Sequence, residues 1–476
     1  MLPAPMPSPS ACPAEPLPRP PARGKRWLVL GVLLTLWAPP PAHAQLEQDQ
    51  IDLTGRQNLT LGSGARAYGM GGAFLARPDD ATAASWNPAG LSYLRLPEVS
   101  LVGAHNSYVG EQRTVERDEF RGAAFDFAAF TWPVAIREVR GAVQLSYQRA
   151  VSFDGTRKIS RALGRRADGR SGGGFDVLAV GTGLRLSRSV RAGITVNRWL
   201  NGYEQMLLLQ VPDRRNPLTE FTLDFRPRGW SANLGVIWSP IESVNVGGVF
   251  KTPFTADVNL DRRRVDTWSS DTSGVQVTSN QYASKDVRLE FPASYGFGLS
   301  WRPWDALTVS ADVTRTRWSR AFILDYFDLK ATPPAAPPAA PPPDFFEKLP
   351  YPSLGEDAVV NLDVEQVDAE QIRAGVEYVL LTRHFKIPLR AGYFNDRQIV
   401  AYPGQSAPRF NGITLGTGII LGSLLIDVAY LHEFGEYSIT GVPQSGQAAT
   451  PVEPIPTAFR TNRFFASLIY RFTGRP

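Results

Sequence analysis

From residue 97 onward, apolar and polar residues alternate along most of the chain. Leu307, Val309, Ala311 and Val313 fall on one face, with Thr308, Ser310, Asp312 and Thr314 between them. Tyr295, Phe297, Leu299 and Trp301 alternate with Gly296, Gly298, Ser300 and Arg302, and Leu424, Ile426, Val428 and Tyr430 repeat the pattern around Asp427. A period of two is that of a strand with one apolar face. Fourteen stretches carry it: 97–108, 121–132, 139–152, 174–186, 190–203, 221–238, 243–251, 292–302, 306–317, 362–380, 386–394, 410–420, 423–432 and 460–472. Each is near or above the roughly 9–11 residues that cross a membrane as a tilted strand.

A soluble sandwich alternates too, so the connections decide. At one end strands join through short turns, Arg302–Asp305, Ser239–Ser243 and Leu421–Ser423. At the other end the connections are long: Ser152–Gly173, Gly202–Glu220, Thr252–Glu290, Arg320–Glu356 and Glu433–Phe459. Short turns opposite long loops describe an outer-membrane barrel. The pattern predicts an all-β, transmembrane antiparallel β-barrel of about fourteen strands over residues 95–472, with a tail at 473–476. It puts Val309 towards lipid and Ser310 towards the lumen, so arginine is expected to hinder assembly at Val309 and to be tolerated better at Ser310.

The N-terminal end reads differently. Lys25 and Arg26 precede the apolar run Trp27–Trp37, and Ala42-His43-Ala44 supplies small residues at a cleavage position. That is the order of a secretory signal peptide, expected to span residues 1–44, and the run is too short for a spanning helix. Its removal leaves 432 residues with a formal charge of +2 and takes away Cys12, the single cysteine. A thiol-free chain suits an oxidising compartment. A charge so close to neutral is not the balance of a nucleic-acid binder.

Between the signal and the first strand lies Leu61–Leu94, rich in glycine and alanine. Gly62, Gly64, Gly69, Gly71 and Gly72 permit positive φ and close packing, and Asn87-Pro88 opens a turn. The run G-A-R-A-Y-G-M-G-G-A, the step Asp79–Ala83 and W-N-P-A-G-L (Trp86–Leu91) resemble the N-terminal hatch of the FadL/TodX family of outer-membrane channels for hydrophobic compounds. The likeness continues in G-G-V-F-K-T-P-F-T (Gly247–Thr255), in Phe291–Ser319 with its R-P-x-D turn, in Arg373–Tyr378 and in Leu389–Tyr393.

The resemblance implies a hatch over residues 45–94 lying in the lumen, with Gly69, Gly71, Gly72, Asn87, Pro88 and Ala89 as its motif. It implies passive uptake of long-chain fatty acids or other hydrophobic molecules across the outer membrane of a Gram-negative bacterium, by binding rather than catalysis, with no cofactor. The other reading is a non-transporting barrel acting as an assembly or secretion partner, which the run Gly69–Gly72 suits as well. A general diffusion porin would need an open, charged constriction and no plug.

The remaining chemistry is sparse. His105, His384 and His432 show no metal spacing and accompany no nucleophile motif, so neither a metal site nor an enzyme is expected. Arg157, Lys158, Arg161, Arg165, Arg166 and Arg170 stand against Asp168 alone, a loop suited to lipopolysaccharide phosphates. Met206, Leu207, Leu208 and Leu209 form an apolar run in a long connection, read either as strand or as a groove that captures the ligand. The family uses its third outer loop for capture, and this is the third. Residues 331–343, A-T-P-P-A-A-P-P-A-A-P-P-P, read as an extended surface insert. Phe464, Leu468, Tyr470 and Phe472 end the last strand on one face, resembling the signal read by the barrel-assembly machinery.

Overall fold

The computed structural model describes residues 62–112, 116–161, 166–210, 218–269, 276–320, 323–324, 365–383, 385–401, 406–439 and 455–473. The expected signal peptide, residues 45–61 of the expected hatch, the proline-rich insert, His384 and residues 474–476 lie outside them.

The chain is an antiparallel meander that closes on itself. β1 (Glu98–Gln112), β2 (Glu116–Ile136) and β3 (Val139–Ser152) pair in order. β4 (Gly155–Arg161) prolongs β3 and lies between β2 and β5 (Arg166–Arg185). β6 (Val190–Leu200) and β7 (Tyr203–Gln210) run end to end between β5 and the long β8 (Leu218–Ile241). β9 (Val244–Lys251) and β10 (Phe254–Ser269) line the other edge of β8, and β11 (Gln276–Phe291) and β12 (Ser294–Trp304) return beside them. After β13 (Leu307–Thr316) come β14 (Ile323–Leu324), which pairs with β11, and β15 (Glu365–Gln366). β16 (Ala369–Leu381) and β17 (Lys386–Arg397) continue the wall, while β18 (Val400–Ala401) pairs with β15. β19 (Arg409–Leu421), β20 (Leu424–Ile439) and β21 (Ile455–Arg471) complete the ring, and β21 pairs with β1 from Glu98↔Arg471 to Gln112↔Thr457. With the end-to-end strands taken as bent single staves, the wall has fourteen. No helix among the described residues is long and apolar enough to cross a membrane; closure satisfies the backbone groups that lipid cannot.

The wall is inside out relative to a soluble protein. Val309 is 40% exposed on the outer face while its neighbour Ser310 is 3% exposed within. Trp132, Trp238, Trp301, Trp304, Tyr378 and Tyr470 point outward near the short turns, and Phe125, Trp230, Tyr393 and Phe464 do so nearer the other end. From Trp238 to Trp230 the strand runs about 26 Å, the reach of a lipid-facing band flanked by aromatic girdles.

The long connections differ from expectation. Much of Ser152–Gly173, Gly202–Glu220 and Thr252–Glu290 is strand rather than loop: β4, β7, β10 and β11, with β7 answering the strand reading of Met206–Leu209. The physical reason lies in β8. Trp230, Leu234, Val236 and Trp238 face outward, and so do Asp224, Arg226 and Arg228 at the same even positions further up. Leu223 and Phe225 on the odd positions are buried inside. The hydrophobic phase therefore reverses between Arg228 and Trp230, as it would where lipid outside the wall gives way to water. Alternation read in a single phase stops there, although the ladder does not. The bends fall where the ladder weakens, at Asn201 (φ 62°) and Gly202, and at Pro253 and Pro292, which have no N–H to donate.

Candidate functional site

Residues 62–94 lie inside the ring as a compact piece of irregular chain. Helix α1 (Ala65–Gly69) ends at a reversal through Gly71 (φ 68°) and Gly72 (φ 76°), closed by hydrogen bonds from Gly71 N–H to the Tyr68 carbonyl and from Gly72 N–H to the Ala67 carbonyl. These two positions need glycine for their positive φ. α2 (Ala83–Trp86) leads through Asn87 into a 3-10 turn over Pro88–Tyr93, with Pro88 at its first position. Trp86 donates from Nε1 to the Ser63 carbonyl (2.7 Å) and packs with Phe74, Leu75, Ala67 and the wall residue Val249. Tyr68 stacks on Phe465 of β21 at 4.1 Å.

Asn87 ties this segment to the wall. Its Nδ2 donates to the Leu75 carbonyl (2.9 Å) and to the carbonyls of Val236 in β8 (3.2 Å) and Gly248 in β9 (3.3 Å), and its Oδ1 accepts from Ala89 N–H (3.1 Å). The wall makes room through glycines at inward positions of its strands. A Cβ on Gly235 would lie 2.0 Å from Asn87 Oδ1, one on Gly193 2.4 Å from the Pro88 carbonyl carbon, one on Gly375 2.2 Å from the Met70 oxygen, and one on Gly392 2.2 Å from the Gly71 nitrogen. Backbone lies against backbone around much of the circumference. The available signal was glycine recurring at inward positions of strands, as at Gly296 and Gly298.

Charge anchors the segment against β16, β17 and β20. Arg66 reaches Glu377 of β16 with Nε and Nη2 (both 3.1 Å) and Asp79 with Nη1 (2.5 Å). Glu377 also accepts from Arg390 Nε (2.8 Å), and Arg390 Nη1 reaches Asp427 (2.6 Å). Burial alone would lower Arg66, but Asp79, Glu377 and Asp80 hold its guanidinium well above the ordinary value. Burial would raise Asp79, yet Arg66 and Arg77 keep it below the usual carboxylate range. At Asp80 burial wins and the carboxyl is raised, although it accepts from Thr82 N–H and Oγ1 (2.8 and 2.6 Å). Arg373 donates to the Gly71 carbonyl (2.9 Å) and to Asp396 (2.7 Å). Arg373, Glu377 and Arg390 fall within stretches that carry the family resemblance and Asp427 within an alternating strand, but sequence alone does not pair any of them with the N-terminal segment.

Beyond this segment, towards the long-loop end, the inward face is aromatic. Phe254 and Phe291 stack at 4.6 Å, Trp199 lies 5.0 Å from Phe254 and 5.6 Å from Phe291, and Phe175 lies 5.6 Å from Phe225. Across the ring, Phe410 stacks on Phe459 (5.1 Å) and Tyr108 on Phe120 (5.2 Å).

The run Met206–Leu209 does not form one apolar surface. It is strand, and alternation divides it: Leu207 is buried on the inward side with Leu223 and Phe225, while Met206 and Leu208 face outward. The side chain of Leu209 lies outside the described residues. Arg157 is also not a free loop cation, since it is paired with Asp118 of β2 (2.8 Å). His105 is exposed on the outer face opposite Phe464, and His432 sits on Asn462 (2.8 Å) beside Phe434. The described histidines thus meet no lumen nucleophile. No group of residues suited to hold a metal ion occurs among the described residues.

The fold defines a class: a fourteen-stranded transmembrane barrel whose N-terminal segment lies within its own lumen. No family model matches the chain, and no curated protein matches it. Solved structures do. A Pseudomonas aeruginosa FadL homologue superposes with a TM-score of 0.59 at 14% identity, covering 90% of this chain and all of that one. The P. putida toluene transporter TodX gives 0.55 at 15%, covering 88% and 100%, and the monoaromatic hydrocarbon channel CymD gives 0.53 at 14%, covering 88% and 99%. The chain has the FadL/TodX-type fold.

Proposed function

We propose that the protein is an outer-membrane channel through which hydrophobic molecules pass passively, with residues 62–94 as its hatch. The observation that carries this is the order of surfaces along the lumen, with stacked aromatic walls above a segment that spans the ring. A hydrophobic solute gains about 25 cal/mol for each Å² of apolar area it buries, and aromatic pairs prefer offset or edge-on neighbours that a ring or chain can join. A water-filled porin has no use for such a wall. Leu207, Leu223 and Phe225 continue the apolar surface towards the mouth and would take the ligand first. Met206 and Leu208 lie on the other face, outside the lumen. Movement is downhill, so the hatch need only shift, and no cofactor or catalytic group takes part.

Long-chain fatty acids are the first substrate to test. Toluene-like rings are the second, because solved barrels of this fold are a toluene transporter and a monoaromatic hydrocarbon channel. Cells with and without the protein are compared for uptake of labelled long-chain fatty acid and of labelled toluene. Uptake of at least one should rise with the protein and fall in Trp199→Ala and Phe291→Ala. Equal uptake of both, with no hydrophobic molecule retained on purification, would favour the assembly-partner reading.

A further inference from the structure

Above the outer girdle, on the outward face of β4, β5, β7 and β8, the structure contains a cavity of about 1050 Å³. Met206, Leu208 and Leu200 give it an apolar portion, and Lys158, Arg170, Arg226 and Arg228 surround that portion with positive charge. Strand registers place these residues on one face: Lys158 is opposite Asp168, Arg170 is opposite Met206, and Leu208 is next but one to Met206. Arg226 is paired with Asp224. Lys158, Arg170 and Arg228 are exposed, and among the described residues they make no ion pair. Acidic groups are fewer, with Asp168 and Glu204 beside that paired Asp224.

Height gives the cavity its meaning. Arg228 is two residues above Trp230, which is 61% exposed on the lipid side with the Arg198 guanidinium 5.1 Å over its ring. The cavity thus straddles the level at which the outward face of β8 changes from apolar to charged. A ligand there meets hydrocarbon below and exposed cations above.

We infer that this cavity docks a phosphorylated glycolipid of the outer leaflet, with phosphates on Lys158, Arg170 and Arg228 and the root of an acyl chain on Met206 and Leu208. Arginine's fork suits phosphate oxygens, and charge-assisted bonds of this kind are about twice as strong as neutral ones. Exposed cations clustered on a strand extension that leaves the membrane would otherwise repel one another. A bound bis-phosphate would hold β4, β7 and β8 together where the ladder bends. The inference rests on the outer-membrane placement proposed above but not on what the lumen carries.

The test uses the purified full-length barrel in detergent, titrated separately with diphosphorylated lipid A, dephosphorylated lipid A and inorganic phosphate. Wild type should bind the diphosphorylated form saturably and the other two at least about tenfold more weakly, one lost charge-assisted contact being worth about that factor. K158E/R170E/R228E should lose binding of the diphosphorylated form, and M206Q/L208Q should weaken it. Arg409→Glu, on the far side of the ring, should leave it unchanged. Heat-modified mobility on gels checks that each variant is folded, and uptake of the labelled hydrophobe should persist in the triple variant. Equal lipid A binding by the wild type and a folded triple variant would overturn the inference, as would an equal loss in Arg409→Glu. No rise in uptake with the wild-type protein, with its lipid A binding intact, would count instead against the channel reading.

Discussion

Gly235 in β8 and Asn87 in the N-terminal segment occupy each other's space: a β-carbon on the glycine would stand 2.0 Å from the Asn87 side-chain oxygen. The wall position is empty so that the amide can reach the strand carbonyls of Val236 and Gly248 beside it. The two residues act as one fitting, a missing side chain on the barrel and an amide on the segment within it.

Gly235→Val should therefore displace the segment without harming the outer face. Asn87→Ala should leave the fold intact but cost about 1–3 kcal/mol, the penalty for buried polar groups left without partners. Both variants should conduct ions in planar bilayers more than wild type does. Wild-type conductance in Gly235→Val would show that the contact does not hold the segment closed.

Arg66 and Glu377 should be coupled. Removing one partner of a buried pair leaves an uncompensated charge, at about 3–5 kcal/mol. Arg66→Met and Glu377→Gln should each destabilise the barrel, while the double variant should be less affected than the sum of the two. Denaturant midpoints for the four proteins measure this, and simple additivity would mean that the two charges do not depend on one another.

Acid should act on the same corner with a sign set by Asp79. Its carboxyl is held below the ordinary range, so its contribution is fully present above that range and is lost as pH falls through the depressed folded value. Asp80 is raised, so its protonation on acidification favours the folded arrangement and partly offsets the loss. Conductance should stay low from neutral pH down to the ordinary carboxylate range and rise below it. Asp79→Asn should carry the raised conductance already at neutral pH.

Val309→Arg should hinder insertion by roughly 2–4 kcal/mol, as a charge on the lipid face near mid-bilayer does. The better tolerance expected of Ser310→Arg does not follow from the structure. Ser310 is buried, donates to Ser300 Oγ (3.1 Å), and stands between Thr308 and Asp312, which hold Arg77 and the Leu75 N–H of the N-terminal segment. Arginine there has nowhere to go. Both variants should refold poorly in lipid vesicles, but trimming the side chain to Ala should be harmless at Val309 and cost only about 1 kcal/mol at Ser310, where Ser300 loses its partner.

The strands and their lipid faces were legible in the sequence because lipid imposes one uniform demand on every outward position between the girdles. Val309, Val313, Leu415 and Trp238 all answer it, and a period of two makes the answer visible without knowing which strands are neighbours. The hatch-like segment was legible for a related reason: Gly71, Gly72 and Asn87-Pro88 state local backbone requirements. What only the tertiary structure decided depends on distant parts meeting. Gly235 reads as an ordinary small residue until Asn87 arrives beside it, and Glu377 as an inward polar residue until Arg66 does. Met206, Leu207 and Leu208 look alike in sequence, and only the ladder on either side of β7 sends the middle one inward and its neighbours out. Above Trp230 the solvent outside the barrel changes from lipid to water, so the same alternation continues with its meaning reversed, and that boundary is a property of the assembled wall.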